Sequence, residues 1–374
     1  MSAGTPERAA RVRALLDAAR KIVDPEHPLG RRARAELPAL TGLSPEGVEY
    51  ALQHHLEVDA TDAEIAALCA SVPEVPCAHV LLSANVFVAA LRALALGLAA
   101  SPQVFARASR REPLMLELLS EASGGAFRIM SELVPRPGDH LFAYGDDSTL
   151  ASLRAELAAG VVLHAHGFGF GVAVCEPAAD ARGEEPCAGE PALLPGGAPR
   201  SLTRYAELLA RDVAVFDQRG CLSPRLVLVN APDEIVSALG RELGRALSAL
   251  EARMPRGALS ADEAADVALY RDTMAYAGEL CFAGKGCVGV DWQGRVMLPP
   301  VGRHLHLART SDPLAVLAEL RPHLTTLSVE GPPALVAAAQ RALPKARHCR
   351  VGMMQRPPLD GPVDRRVSRE GERL

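Results

Sequence analysis

The sequence predicts an α/β protein built on parallel sheets, and three observations carry that prediction. From about residue 76, short runs rich in Val, Leu and Phe alternate with longer runs of helical apolar spacing, which implies a parallel sheet covered on both faces. A length of 374 residues, 49% hydrophobic and 23% charged, is enough for two cores in a soluble globular chain. Residues 176–200, rich in Glu, Ala, Gly and Pro and closing on Pro195-Gly196-Gly197, interrupt the alternation and read as a surface loop or linker. The expected organisation is a helical region over 1–75, one α/β domain over 76–195 and a second over 200–344, with a Pro- and Arg-rich tail over 345–374 that returns to the first domain.

Each element has its own signal. Pro6 to Ile22 has helical spacing, and Ser44-Pro45-Glu46 supplies an N-cap, a proline at the first helical position and an early acid. Strands are expected at His79–Ser83, Val104–Ala108 and His140–Tyr144, with helices at Val86–Ala99, Pro113–Ala122 and Ser148–Leu157. Val162 to Gly171 is strand-like. The second block starts with a helix near Leu202–Leu209, then a turn at Cys221 and a strand at Arg225–Val229. Helices follow around Asp233–Met254 and Ala261–Leu280, and strands near Cys287–Val290 and His304–Ala308, with Asp291-Trp292-Gln293-Gly294 reading as a hairpin turn. Helix Pro313–Leu320, strand Thr325–Val329 and helix Pro333–Leu343 complete the pattern.

Composition excludes several function classes. A net charge of −5 argues against a general nucleic-acid binder. The eight cysteines form no CxxC pair, which fits reduced thiols in a cytoplasm. The longest apolar run, Val86 to Ala100, is too short to span a membrane and carries Arg92.

One cysteine stands apart. Cys221 lies in Phe216-Asp217-Gln218-Arg219-Gly220-Cys221-Leu222-Ser223-Pro224, on a Gly-then-Pro turn after a helical stretch, where a nucleophile is presented. Four further segments accompany it in order: Leu82 to Val86 (LSANV), Val104 to Pro113 (VFARASRREP), Val162 to Gly171 (VLHAHGFGFG) and Met354 to Asp360 (MQRPPLD).

These segments resemble the acyl-CoA reductase family, within the aldehyde dehydrogenase superfamily, over most of the chain after about residue 75. The resemblance implies an aldehyde dehydrogenase-like fold: two Rossmann-like three-layer domains with an interdomain active-site cleft, residues up to about 195 binding NADPH. It implies that Cys221 takes the acyl group of an acyl-CoA, fatty acyl-CoA in the best-known members, as a thioester that NADPH reduces to the aldehyde. A thioester serves well because exchange between thioesters is nearly balanced and the acyl carbon stays electrophilic. Acyl carrier protein is an alternative donor. An acyl-activating ligase partner and a homo-oligomer are also implied, with no nucleic acid.

The other site residues follow from the same likeness. Asn85 would hold the oxyanion formed on attack; it equally suits an ordinary helix N-cap. Arg107, Ser109 and Arg110 follow a strand where NAD-preferring relatives carry Ser and Glu, so Arg110, backed by Arg107 and Arg111, would attract the 2′-phosphate of NADPH. His164 or His166 stands near the position of the superfamily's general-base glutamate, to assist Cys221 or protonate the hemithioacetal oxygen; packing on a strand explains them as well. Gly145 and Ser148 resemble the turn beside the cofactor diphosphate, with Ser148 as helix cap, although Asp146 and Asp147 oppose a phosphate there.

No metal site is expected. Gly167, Gly169 and Gly171 have GxGxG spacing and not the GxGxxG of a dinucleotide fingerprint. His304 and His306 share a strand face without a third ligand, and Cys281 and Cys287 lack a partner set. Two rival functions remain: an aldehyde-oxidising dehydrogenase, disfavoured by the missing glutamate base, and a non-catalytic acyl-binding or scaffold subunit.

Overall fold

Strands that are apolar on both faces require helices on both faces, and both sheets of this protein have them. The computed structural model describes residues 5–178 and 201–366. The chain divides into two units, Met1–Phe168 with Pro358–Leu374, and Gly169–Pro357.

The first unit begins with four helices, α1 (Thr5–Val23), α2 (Pro28–Thr41), α3 (Pro45–His55) and α4 (Asp62–Ala70). A capping box between Thr61 and Glu64 starts α4. Then follow β1 (Ala78–Leu81), α5 (Ala89–Ala100), β2 (Val104–Arg107), α6 (Leu114–Ala122), β3 (Arg128–Ile129), β4 (His140–Tyr144), α7 (Asp147–Glu156) and β5 (Val162–His166). The five strands are ordered β3-β2-β1-β4-β5, and every pair is parallel. Gly97 brings α5 against Val80 and Val104 on one face. Leu150 of α7 packs with Leu141 and Ala143 on the other. Helix α1 lies over α4, α5 and α6. The returning tail is tied in by Arg92, whose buried guanidinium pairs with Glu57 and donates to the carbonyls of Gly361 and Pro358, each at 2.9 Å.

The second unit contains β6 (Phe170–Cys175), α8 (Leu202–Ala214), β7 (Pro224–Val229), α9 (Asp233–Glu251), α10 (Ala261–Ala277), β8 (Glu279–Ala283), β9 (Gly286–Asp291), β10 (His304–Arg309), α11 (Pro313–Leu320), β11 (Leu324–Glu330), α12 (Pro333–Ala342) and β12 (Arg347–Cys349). Its seven strands run β12-β11-β6-β7-β10-β9-β8. Only the β8–β9 pair is antiparallel among these described strands. Helices α8 and α9 bury Leu209, Val213, Leu239 and Leu243 against Val227 and Leu307. The opposite face takes α11 and α12 through Leu317 and Ala339, and α10 through Tyr270 and Met274 beside Cys287.

Three expectations are corrected. The division falls after Phe168, not near residue 195, because β6 pairs with β7 and β11; the strand-like run from Val162 is thus two strands in two sheets, broken at Gly167-Phe168-Gly169. The tail joins the first unit only from Pro358. The hairpin is the tight turn at Gly284-Lys285 between β8 and β9, and the helix expected to run on to Leu280 stops at Ala277, with β8 starting at Glu279. Asp291 to Gly294 instead leads into β10, which is parallel to β9 and so cannot follow a two-residue turn. Its turn-like sequence has another cause: the Asp291 carboxylate accepts from the Gln293 N–H at 2.8 Å and from Arg295 Nε at 2.7 Å. Residues 179–200, most of the expected linker and with them Cys187, lie outside the described residues. Among the described residues, no helix is long and apolar enough to cross a membrane.

Candidate active site

Seven cysteines are described, and none is in a disulfide. In six of them burial pushes the thiol pKa up, to about 11 at Cys77, Cys281 and Cys287 and about 12 at Cys349, so these stay protonated. Cys221 is half-buried, on the turn that leads into β7 at the amino edge of the second sheet.

The chain reaches that turn through an unusual backbone. After α8, the three non-glycine residues Phe216, Asp217 and Gln218 all take left-handed φ values, +53°, +48° and +63°. For L-residues each such conformation costs on the order of 1–2 kcal/mol. Side-chain bonds hold it. Asp217, 1% exposed, accepts from Arg303 Nε at 2.8 Å and from the Gly257 N–H at 2.9 Å, while its carbonyl takes the Gly302 N–H at 2.9 Å. Arg303, 2% exposed, also pairs with Glu251 at 3.0 Å and donates to the Met254 carbonyl at 2.6 Å. Gln218 donates from Nε2 to the carbonyls of Pro224 and His304 and accepts the His304 N–H, at 2.8, 2.7 and 2.6 Å. Removing one partner of a buried pair of this kind costs about 3–5 kcal/mol.

The turn itself is fixed from its other side. A Cβ on Gly171 would fall 2.7 Å from the Leu222 carbonyl oxygen, so only glycine lets β6 pass this close. The Gly171 N–H donates to the Ser223 carbonyl at 2.8 Å, and the Thr325 hydroxyl donates to the Cys221 carbonyl. Gln355, from the MQRPPLD segment, donates to the Ser223 hydroxyl at 2.7 Å. Asp212, its carboxyl pKa pushed up to about 7 by burial, accepts the backbone N–H groups of Gly352 and Met354 and so ties that segment to α8. Asp217, Gln218, Arg303, Thr325 and Gln355 were not singled out from the sequence. Their partners lie up to 155 residues away, and local pattern carries no sign of them.

In the first unit the candidate residues gather at the carboxyl edge of the sheet, where β1 lies between β2 and β4 and the strand order reverses. Ligands of open α/β sheets bind at such an edge. Asn85 follows β1 and is exposed; its Oδ1 accepts from Arg111 Nη2 at 2.8 Å. It does not cap α5, whose N-cap is Val88. Arg107 ends β2, with Ser109 and Arg110 just beyond it. Ser109 Oγ accepts the Arg111 N–H at 3.3 Å.

Gly145 and Ser148 are differently committed. The Gly145 N–H donates to the His166 carbonyl. The cap of α7 is Asp146, not Ser148: its carboxylate accepts the Thr149 N–H at 2.7 Å and the Ser148 hydroxyl at 2.6 Å, bonds that hold its pKa down at about 2. An anion already occupies that helix start.

His164 and His166 both lie on β5. His164 stacks on Phe142 and shares a hydrogen bond of 2.8 Å with His140, and burial lowers its pKa to about 3. His166 stacks on Tyr144, is buried with a lowered pKa, and has a buried Nε2 without a hydrogen-bond partner among the described residues. In the second unit His304 and His306 are hydrogen-bonded to the Val301 and Arg295 carbonyls. Among the described residues Cys77, His79 and Asp139 bring ligand-type atoms within 4.8 Å of one another. The His79 Nδ1 is buried without a partner, so the outer hydrogen bond that orients a metal-binding imidazole is missing.

Known structures share this architecture. A putative aldehyde dehydrogenase from Burkholderia cenocepacia superposes with a TM-score of 0.69 at 15% identity, over 92% of this chain and 79% of that one. An oxidoreductase from Marinobacter aquaeolei gives 0.69 at 11% identity, over 96% and 83%. A Mycobacterium tuberculosis aldehyde dehydrogenase complexed with NAD+ gives 0.65 at 14%, over 93% and 77%. At these identities the likeness is one of fold. A comparison of the sequence with curated proteins finds no match. The sequence matches the acyl-CoA reductase (LuxC) family over residues 128–362, a span that holds Cys221, both β5 histidines and Gln355 and leaves out Asn85 and Arg110. This two-unit α/β chain with the aldehyde dehydrogenase fold therefore belongs to the LuxC acyl-CoA reductase family, and it is an oxidoreductase.

Proposed function

We propose that the protein reduces an acyl-CoA, or the same acyl group on a carrier protein, to the aldehyde with NADPH, through a thioester on Cys221. The observation that carries this reading is the half-buried Cys221 thiol on a turn braced from both sides.

The Cys221 thiolate attacks the thioester carbonyl, and the CoA thiolate leaves, giving the S-acyl enzyme. The Asn85 side-chain N–H₂, left as a donor because Arg111 engages its Oδ1, is assigned to the developing oxyanion. When bound, the reduced nicotinamide supplies a hydride to the acyl carbon. His166 is the candidate for the proton that the resulting oxygen needs, since His164 is spent on His140. The Cys221–carbon bond then breaks as that proton returns to His166, releasing aldehyde and the thiolate, and the proton consumed overall is the one taken up by the departed CoA thiolate. The sum is acyl-CoA, NADPH and H⁺ giving aldehyde, CoA and NADP⁺. No carboxylate stands in β5, which fits a thioester discharged by hydride and not by water, and disfavours aldehyde oxidation.

Arg107, Ser109 and Arg110 suit a 2′-phosphate: neither arginine pairs with a described carboxylate, and no acid follows β2 before Glu112, which is buried and bonded to the Met115 N–H. The start of α7 does not suit a diphosphate, because Asp146 and Asp147 stand there. Gly145 and Ser148 are therefore not assigned to the cofactor. An acyl-activating ligase partner and a homo-oligomer belong to this reading as well.

The test is incubation with radiolabelled long-chain acyl-CoA. A labelled thioester that NADPH discharges to aldehyde is expected, with none on Cys221→Ala. Normal labelling of that variant would place the nucleophile elsewhere. Arg110→Glu is expected to weaken NADPH binding about 10- to 100-fold, by loss of a charge-assisted contact, and NADH much less; equal weakening would remove the 2′-phosphate assignment.

A further inference from the structure

We infer that Arg303 is a positioning residue for Cys221, acting through Asp217 on the left-handed segment that delivers the turn; this rests on the reading of Cys221 as nucleophile. Three consecutive left-handed residues do not persist unsupported. Phe216, Asp217 and Gln218 carry no glycine to relieve them. Central among the bonds that hold them is one buried guanidinium, which reaches Asp217 Oδ1 and is itself fixed by Glu251 Oε2 and the Met254 carbonyl. Glu251 ends α9 and Met254 follows it, so Arg303 ties the segment to the end of a 19-residue helix.

Arg303 itself has a φ of +70°, and the Gly302 N–H beside it donates to the Asp217 carbonyl. The next residue, His304, exchanges backbone bonds with the Gln218 amide. Residues 302–304 therefore grip 217 and 218 at main chain and side chain alike. From Gln218 the chain has two residues to Cys221. A second arginine, Arg219, reaches Glu263 at 3.1 Å and the Ala258 carbonyl at 3.0 Å, anchoring the outgoing side. A change in the 217–303 clamp must move the thiol, because the far side is fixed by Gly171 and Pro224.

Positioning without ligand contact has a kinetic signature. Arg303→Met is expected to slow single-turnover acylation of Cys221 at least 100-fold, with half-saturation by acyl-CoA within threefold of wild type. Arg303→Lys, which keeps the charge and one bond to Asp217, should recover at least tenfold of that loss. Free guanidinium at millimolar concentration should restore part of the rate to Arg303→Ala and none to Cys221→Ala. If Arg303→Met does not fold, Asp217→Asn, which keeps one acceptor for Arg303, serves in its place with the same expectation. Acylation at the wild-type rate in these variants would overturn the inference, as would equal losses in rate and half-saturation without guanidinium rescue. Loss of the nucleophile reading is told apart by Cys221→Ala: if that variant acylates normally the reading itself fails, whereas its inactivity beside a fully active Arg303→Met refutes only the clamp.

Discussion

The turn before Cys221 is gripped by a buried ion pair, a buried amide and a glycine contact, whereas the loop carrying Asn85 is exposed and its side chain is held by one hydrogen bond from Arg111. The first is set when the core forms. The second is oriented by a contact that water and salt weaken. The difference bears on the two tasks proposed for them. A nucleophile must be placed before substrate arrives, since misplacement by an ångström costs about 100-fold, and an oxyanion donor also works best when already aimed, so at Asn85 the Arg111 bond would have to supply that aim.

Four substitutions break or sharpen this contrast. Asn85→Ala should slow acylation about 100- to 1000-fold through loss of one oxyanion donor, while the melting temperature stays unchanged; a fall in both would make Asn85 structural. Gly171→Ala should do the reverse in emphasis, destabilising the protein by about 1–3 kcal/mol as the new methyl meets the Leu222 carbonyl. Chemical denaturation measures it, and unchanged stability would show that the turn can give way. Arg111→Ala should cost roughly 10-fold in acylation, the worth of one charge-assisted bond that orients the amide. An effect equal to that of Asn85→Ala would mean that Arg111 has a second task.

The smallest effect concerns pH. His164 has a folded pKa near 3, below its ordinary 6.5. Between those values the unfolded chain binds the extra proton, so this group's contribution is full above pH 6.5 and declines as pH falls toward 3. His164→Phe should flatten that decline by up to one proton. His304, at about 4, keeps a similar slope in the other unit, so the flattening is partial. Denaturation at pH 7, 5 and 4 gives the slope, and no change would show that the His140–His164 pair takes up its proton in the folded state.

Most of the architecture was legible because parallel strands buried on both faces read as apolar runs between helices. What failed has local causes. Strand β8 continues the composition of α10, so the helix was extended into it; β3 and β12 are two and three residues long. The run from Val162 changes sheet without changing composition, since both halves are equally apolar. Of the candidate residues, Cys221 stands out in sequence through its turn, and the arginines after β2 through their place behind a strand. The clamp does not, because Phe, Asp and Gln in left-handed geometry leave no mark in sequence and Arg303 is 86 residues from Asp217. Ser148 was mistaken for the cap because either residue can fill that role; the chain uses the earlier Asp146.

The path of the chain through the two units also bears on biosynthesis. Gly169–Pro357 is a single uninterrupted stretch and can close its own interior as soon as it has left the ribosome. The other unit must wait: Arg92 meets the Pro358 and Gly361 carbonyls only after the whole of Gly169–Pro357 has been made. A nascent chain stalled just before that point would carry a guanidinium short of two of its acceptors.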